Sequence, residues 1–113
     1  IILLGAVPYW QKALPLILME EWRKGPPTRL PPLRLKEGLD PDLDKATATM
    51  RARSEKMGIE FISGKQFFCN DDGCLTRLND KAKQPLSYDY GHLSTSAVVY
   101  YVEQLAPLIF KTP

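Results

Sequence analysis

Residues 88–97, YDYGHLSTSA, bring an acid and a histidine close together in the chain. Asp89 precedes His92, the chain's only histidine, by three residues. A histidine acting as general base needs a neutral imidazole whose second nitrogen donates to a carboxylate, because that bond fixes the ring's tautomer and orientation. Gly91 is expected to relax the backbone between them, and Ser94 to start the anchoring helix. On the spacing alone a surface or structural His92 is the favoured interpretation, and the alternative is that His92 and Asp89 are the base and orienting carboxylate of a catalytic triad.

Two cysteines, Cys69 and Cys74, flank a polar segment in FFCNDDGCLT. The Asn-Asp-Asp-Gly sequence between them is typical of a tight turn that can bring two Cβ atoms within bonding distance. In an oxidising compartment the pair predicts a disulfide bond, whereas in the cytosol free thiols or metal ligands are more common. A zinc site shared with His92 is disfavoured because a fourth ligand is missing, and calcium because further oxygen ligands do not follow.

Charge and hydropathy argue against two kinds of partner for these residues. The net charge is +2, and the basic residues form no run interleaved with aromatic residues, so nucleic acid is not an expected partner. The apolar runs IILLGAVPYW and ALPLILM are interrupted by Gly5, Pro8 and Pro15, whereas a membrane span needs ~20 mostly apolar residues. These residues are therefore not predicted to cross a bilayer.

The predicted elements begin with an apolar strand. The run 1–4 is continuous and ends at Gly5, which is typical of a strand buried on both faces of a parallel sheet. A short helix is predicted after Pro15 from apolar residues at helical spacing, namely Leu16, Met19 and Trp22. Residues 25–38 hold four prolines and two glycines, which predicts an extended, exposed loop. Its basic residues are interpreted as solvated surface: Arg29, Arg34 and Lys36.

A second helix is predicted over residues 41–57, with Asp40 as its N-cap and Gly58 just past its end. Its apolar face consists of Leu43, Ala46, Met50 and Met57. The segment GIEFIS, 58–63, alternates and is rich in β-branched and aromatic residues, so it is predicted to be a strand. A strand, a helix and a strand in succession predict a parallel pair.

The remainder is predicted to be irregular over 64–92 and then helical from Ser94. The apolar stripe of this last helix consists of Val98, Tyr101, Val102, Leu105 and Ile109. Pro107 is expected to break or kink its end. Tyr9 and Trp10 either line a carbohydrate-facing cleft or pack on the sheet, and packing is the favoured interpretation.

Two strands make too narrow a sheet to fold alone. Because the chain starts within an apolar run and has no initiator methionine, we expect the other strands to precede Ile1. Residues 1–113 are thus predicted to be the C-terminal part of a single domain. Its uncovered sheet edge also predicts self-association of the isolated piece.

Three segments, IILLGAVPYW, FFCNDDGCLT and YDYGHLSTSA, occur in this order. Together they resemble the C-terminal half of the SGNH hydrolase-like domain fused to acyltransferase-3 family membrane proteins. The pattern of that domain has a strand ending in Gly-x-x-Pro and followed by Trp, a cysteine pair, and Asp-x-x-His-Leu-Ser/Thr at the start of the last helix. The resemblance covers nearly the whole chain.

The resemblance implies a flavodoxin-like three-layer α/β/α fold with a parallel sheet, whose N-terminal strands are absent from this chain. It implies the periplasmic domain of a bacterial inner-membrane protein that O-acylates, usually O-acetylates, cell-surface or secreted polysaccharide. No cofactor or metal is implied. The implied partners are an acyl donor, a carbohydrate acceptor and an N-terminal membrane acyltransferase domain.

By position in the motif, His92 resembles the base and Asp89 its orienting partner. The nucleophilic serine of such domains lies in a Gly-Asp-Ser motif after the first strand, and no serine of this chain has that context. The serines are Ser54, Ser63, Ser87, Ser94 and Ser96. The nucleophile is therefore expected upstream, and the fragment alone is expected to be inactive. The alternatives are an SGNH esterase that removes acetyl groups and a non-catalytic accessory glycan-binding module.

Overall fold

The computed structural model describes residues 1–26, 30–78 and 84–110, which form three α-helices, five short strands and one 3₁₀ helix. In chain order these are β1 (Ile2–Leu4), α1 (Leu14–Trp22), β2 (Arg34–Leu35), α2 (Asp42–Met57), β3 (Glu60–Ile62), the 3₁₀ helix (Gly64–Phe67), β4 (Cys69–Asn70), β5 (Gly73–Leu75) and α3 (Thr95–Ile109). None of the helices in this described part is long and apolar enough to cross a membrane.

Strands β1 and β3 form the predicted parallel pair, with Leu3 opposite Phe61, and α2 connects them. The strand–helix–strand prediction is therefore confirmed. The prediction that the run 1–4 is a strand buried on both faces is wrong, because Leu4 of β1 is 40% exposed and Ile1 before it is fully exposed. Within the described ranges β1 pairs with β3 alone, so one of its edges stays uncovered.

A second sheet, with the order β2-β5-β4, is antiparallel and was not predicted. It lies within the two segments predicted to be irregular, 25–38 and 64–92, because residues far apart in the chain pair there. Arg34 is not simply solvated: its Nη1 donates to the carbonyl oxygens of Phe68 at 2.9 Å and Gly73 at 3.3 Å. Lys36 is exposed, as predicted, whereas Arg29 lies outside the described residues.

Strands β4 and β5 form a hairpin around the Asn-Asp-Asp-Gly turn. The Asn70 side-chain oxygen accepts the Asp72 N–H at 2.8 Å, which closes the turn locally. Cys69 and Cys74 face each other across the strands and form a disulfide bond, so the disulfide prediction is confirmed. Both sulfurs are used in that bond, so the free-thiol and metal-ligand alternatives do not apply.

The face that helix α1 buries does not contain the apolar residues from which the helix is predicted. Leu14 and Ile17 are buried, whereas Leu16, Met19 and Trp22 are 51%, 46% and 42% exposed. The buried pair joins a core that includes Trp10, Phe68, Cys74, Leu75, Leu86 and Ala97. Contact with this core decides the rotation of the helix about its axis, and spacing alone does not.

Helix α2 begins and ends close to the predicted positions. The Asp40 side chain accepts the Asp42 N–H at 2.9 Å, and Gly58 ends the helix in the left-handed conformation with φ of 69°. Leu43 is buried as predicted, but Met57 is 72% exposed. The predicted apolar face is therefore only partly covered.

Helix α3 follows the extended Ser94 as predicted, although no side-chain capping bond forms. Of its predicted stripe, Leu105 is buried, while Val98, Val102 and Ile109 are exposed. The Tyr101 ring meets Phe68 edge-on at 5.4 Å, and the Tyr100 hydroxyl donates to the Phe67 carbonyl oxygen at 2.8 Å. The helix continues two residues past Pro107 and ends at Ile109, so a break at Pro107 itself is not seen, and the alternative of a kink stays a prediction.

Candidate active site

A loop closed by an antiparallel bridge between Ser87 and Leu93 presents Asp89 and His92. The segment after β1 holds this loop through the backbone. The Trp10 N–H donates to the Tyr90 carbonyl oxygen at 2.7 Å, and the Leu14 N–H donates to the Asp89 carbonyl oxygen at 2.9 Å. The loop is thereby tied to the segment that follows the carboxyl end of the parallel strand β1, and α/β proteins commonly build sites beyond that end of their strands.

The predicted acid and base lie in direct contact. The His92 Nδ1 atom is 2.5 Å from Asp89 Oδ2. The other carboxylate oxygen, Oδ1, accepts the backbone N–H groups of Gly91 at 2.8 Å and His92 at 2.7 Å. The same carboxylate therefore closes the turn and holds the ring, while the catalytic roles of the two residues stay a prediction.

The electrostatics of the loop determine which nitrogen of His92 is basic. The Gly91 N–H, followed by the His92 N–H and the His92 ring, holds the pKa of the Asp89 carboxyl well below its usual range. An ionised carboxylate only accepts hydrogen bonds, so Nδ1 carries the shared proton. Nε2 is then the basic atom of the neutral ring, and the side chain is 81% exposed.

An open cleft of about 440 Å³ lies beside the histidine, lined by Ala6, Val7, Tyr9, Tyr90, Gly91 and His92. Its lining is mostly apolar. Trp10 is only 2% exposed, so the packing interpretation holds for it, whereas Tyr9 lines the cleft. Partial burial, with Asp40 and Asp42 contributing, raises the pKa of the Tyr9 phenol.

Gly91 contributes differently from the expectation that it relaxes the backbone. Its φ is not in the left-handed region. A Cβ atom at this position would lie 3.1 Å from the Tyr9 Cβ, closer than an ordinary contact. The missing side chain lets the loop approach Tyr9.

No serine hydroxyl is hydrogen-bonded to the His92 ring among the residues that the structure describes. Ser54 bonds to the Arg51 carbonyl oxygen, and the hydroxyls of Ser94 and Ser96 lie 3.4 Å apart. Ser87 bonds to Asp89, a contact that the sequence reasoning missed. Its signal is the Ser-x-Asp spacing, which suits a local side-chain turn.

Comparison with known proteins finds a solved structure with a similar fold. No family model matches the sequence, and no curated protein matches it. The chain is similar to the solved periplasmic domain of a lipopolysaccharide acetyltransferase from Salmonella serovar Paratyphi A, with a TM-score of 0.85 and 29% sequence identity. The match covers 97% of this chain but 41% of that chain, so the protein spans less than half of its neighbour's length. The chain thus has the mixed α/β fold of part of a periplasmic acetyltransferase domain.

Proposed function

We propose that this chain is the C-terminal part of a single SGNH-like domain, of flavodoxin-like α/β/α architecture, in an O-acyltransferase. The proposed reaction is the transfer of an acyl group, typically acetyl, to a bacterial cell-surface or secreted polysaccharide. The observation that carries the proposal is the 2.5 Å contact between His92 Nδ1 and Asp89 Oδ2 in a fold that matches an acetyltransferase domain at a TM-score of 0.85.

In the proposed mechanism, His92 Nε2 takes the proton of a serine hydroxyl as the serine oxygen attacks the acyl donor. The imidazolium returns that proton to the leaving group, and an acyl-serine ester remains. Nε2 then takes the proton of an acceptor hydroxyl as that oxygen attacks the ester, and the proton returns to the serine. Asp89 stays ionised throughout because its pKa is low, so it orients the ring and stabilises the imidazolium.

The serine is proposed to lie outside this chain. Two findings support this: in the described ranges no serine bonds to His92, and most of the neighbouring domain has no counterpart here. An extracytoplasmic location is also part of the proposal, with a membrane acyltransferase domain as the partner in the intact protein. The Cys69–Cys74 disulfide supports that location, because such bonds persist in oxidising compartments.

The test replaces the two residues in the intact protein that contains this chain and measures acetyl transfer to a polysaccharide acceptor. We expect His92→Ala and Asp89→Asn each to lower the transfer rate by about 10³-fold or more, since both act on the same proton transfer. The matched control is Glu55→Gln, an exposed residue of α2, for which we expect an unchanged rate.

Two results would overturn the proposal. One is transfer that survives in His92→Ala. The other is release of free acetate by the unmodified protein with no acetyl group reaching the acceptor, which would identify an esterase.

A further inference from the structure

Ser87 lies beneath the Asp89–His92 loop and is only 2% exposed. Its backbone forms the bridge to Leu93 that closes the loop. Its hydroxyl contacts Asp89, two residues further along the chain. The Oγ atom lies 3.1 Å from Asp89 Oδ1 and 3.0 Å from the Asp89 carbonyl oxygen, and it accepts the Asp89 N–H at 3.3 Å.

All three contacts join Ser87 to Asp89, so they restrict both the backbone and the side chain of Asp89. The hydroxyl can donate to Oδ1, the oxygen that already accepts the N–H groups of Gly91 and His92. Oδ1 then has three donors around it, and Oδ2 is left for the imidazole. Rotation of the carboxylate away from the ring would break these bonds together.

The same geometry argues against Ser87 as the missing nucleophile. Its hydroxyl bonds to Asp89 and not to the His92 ring, and it is buried away from any substrate. A serine nucleophile needs a hydrogen bond to the base and access to the acyl carbon.

We propose that Ser87 is a positioning residue that holds the Asp89 carboxylate in the orientation that His92 requires. The inference rests on the proposed acyl-transfer function. It predicts a defect in the chemical step and not in substrate binding, because Ser87 reaches the reacting atoms only through Asp89.

The test compares Ser87→Ala with Ser54→Ala in the intact protein. Ser54 is also buried, at 1% exposure, but its hydroxyl donates to the Arg51 carbonyl oxygen within α2. Loss of one hydrogen bond to a charged group corresponds to about tenfold in rate, so we expect Ser87→Ala to lower kcat by about tenfold with KM unchanged. Ser54→Ala should change kcat by less than about twofold.

A double-mutant cycle separates positioning from a general structural role. In an Asp89→Ala background, Ser87→Ala should cost nothing further, because position 89 then has no side-chain oxygen for the hydroxyl to orient. If Ser87→Ala does not fold, Ser87→Cys keeps the approximate volume with a weaker donor, and the same cycle applies.

The inference is overturned if Ser87→Ala and Ser54→Ala have equal kcat, if KM alone changes, or if the Ser87 effect is undiminished in the Asp89→Ala background. His92→Ala, measured in parallel, distinguishes the two levels of failure. If His92→Ala retains activity, the proposed function itself is refuted. If His92→Ala loses activity but Ser87→Ala is as active as the unmodified protein, only the role of Ser87 is refuted.

Discussion

Asp89 shows why the three-residue spacing to His92 is structurally useful. One carboxylate oxygen accepts the backbone N–H groups two and three residues ahead, which curls the chain back over the side chain. That curl brings the His92 ring to the other oxygen. The turn and the acid–base pair therefore form through the same short-range hydrogen bonds.

The lowered pKa of Asp89 predicts a pH-dependent contribution to stability. The unfolded carboxyl, with an ordinary pKa of about 3.9, binds a proton before the folded one does as the pH falls. The contribution is therefore complete above about pH 5 and decreases as the pH falls through the folded pKa. We expect the difference in free energy of unfolding between the unmodified protein and Asp89→Asn to be constant above about pH 5 and to shrink between about pH 5 and pH 2. Urea titrations at each pH measure it, and a constant difference would contradict the expectation.

Among the elements, the β4–β5 hairpin leaves no room for a side chain at Gly73. Gly73 has φ of 117°, and a Cβ there would lie 2.4 Å from the backbone of Leu35 in β2. Gly58, at the end of α2, also has a positive φ, but nothing lies within 4 Å of a Cβ at that position. Both glycines have a positive φ, but only at Gly73 would an added side chain also clash with a neighbouring strand.

Alanine at the two positions should therefore differ in cost. We expect Gly58→Ala to lower the free energy of unfolding by about 1 kcal/mol, because only the left-handed conformation is penalised. Gly73→Ala should cost about 3 kcal/mol or more, since the added methyl must also push β2 away from β5. Thermal or urea unfolding measures both, and equal losses would show that the β2–β5 contact yields easily.

The whole molecule is less compact than a self-contained domain of its length. Its radius of gyration is 15.4 Å, against about 13 Å expected for 113 residues. The outer face of α3 presents several exposed apolar side chains, namely Val98, Val99, Val102 and Ile109. Together with the free edge of β1, these features support the proposal that further strands of the domain pack against this chain.

The isolated chain should use that surface to bind a second copy. We expect concentration-dependent self-association in sedimentation velocity, reduced by the double substitution Val98→Glu and Val102→Glu, because a charged face resists burial. Glu103→Gln, on the same helix, is the matched control and should leave association unchanged. Association that is equally strong in the double variant would show that α3 is not the surface involved.

Several features were predictable from the sequence because short-range bonds form them. The Asn-Asp-Asp-Gly turn aligns Cys69 with Cys74, Gly58 ends α2, and Asp89 captures His92, each within a few residues. The strand–helix–strand unit was also predictable, because its hydropathy pattern needs no knowledge of distant residues. These features include both predicted side chains of the candidate site.

The tertiary structure decided what depends on partners distant in the chain. The pairing of β2 with β5, the carbonyl contacts of Arg34 and the buried face of α1 all depend on residues that no local pattern specifies. Ser87 belongs to the same group, because its role follows from burial and from the bridge to Leu93 as well as from spacing. By itself, the sequence determined which residues could do chemistry and which turns present them. Tertiary packing decided which side chains are buried and hydrogen-bonded, because an isolated helix or loop could bury any of several faces until it contacts a core.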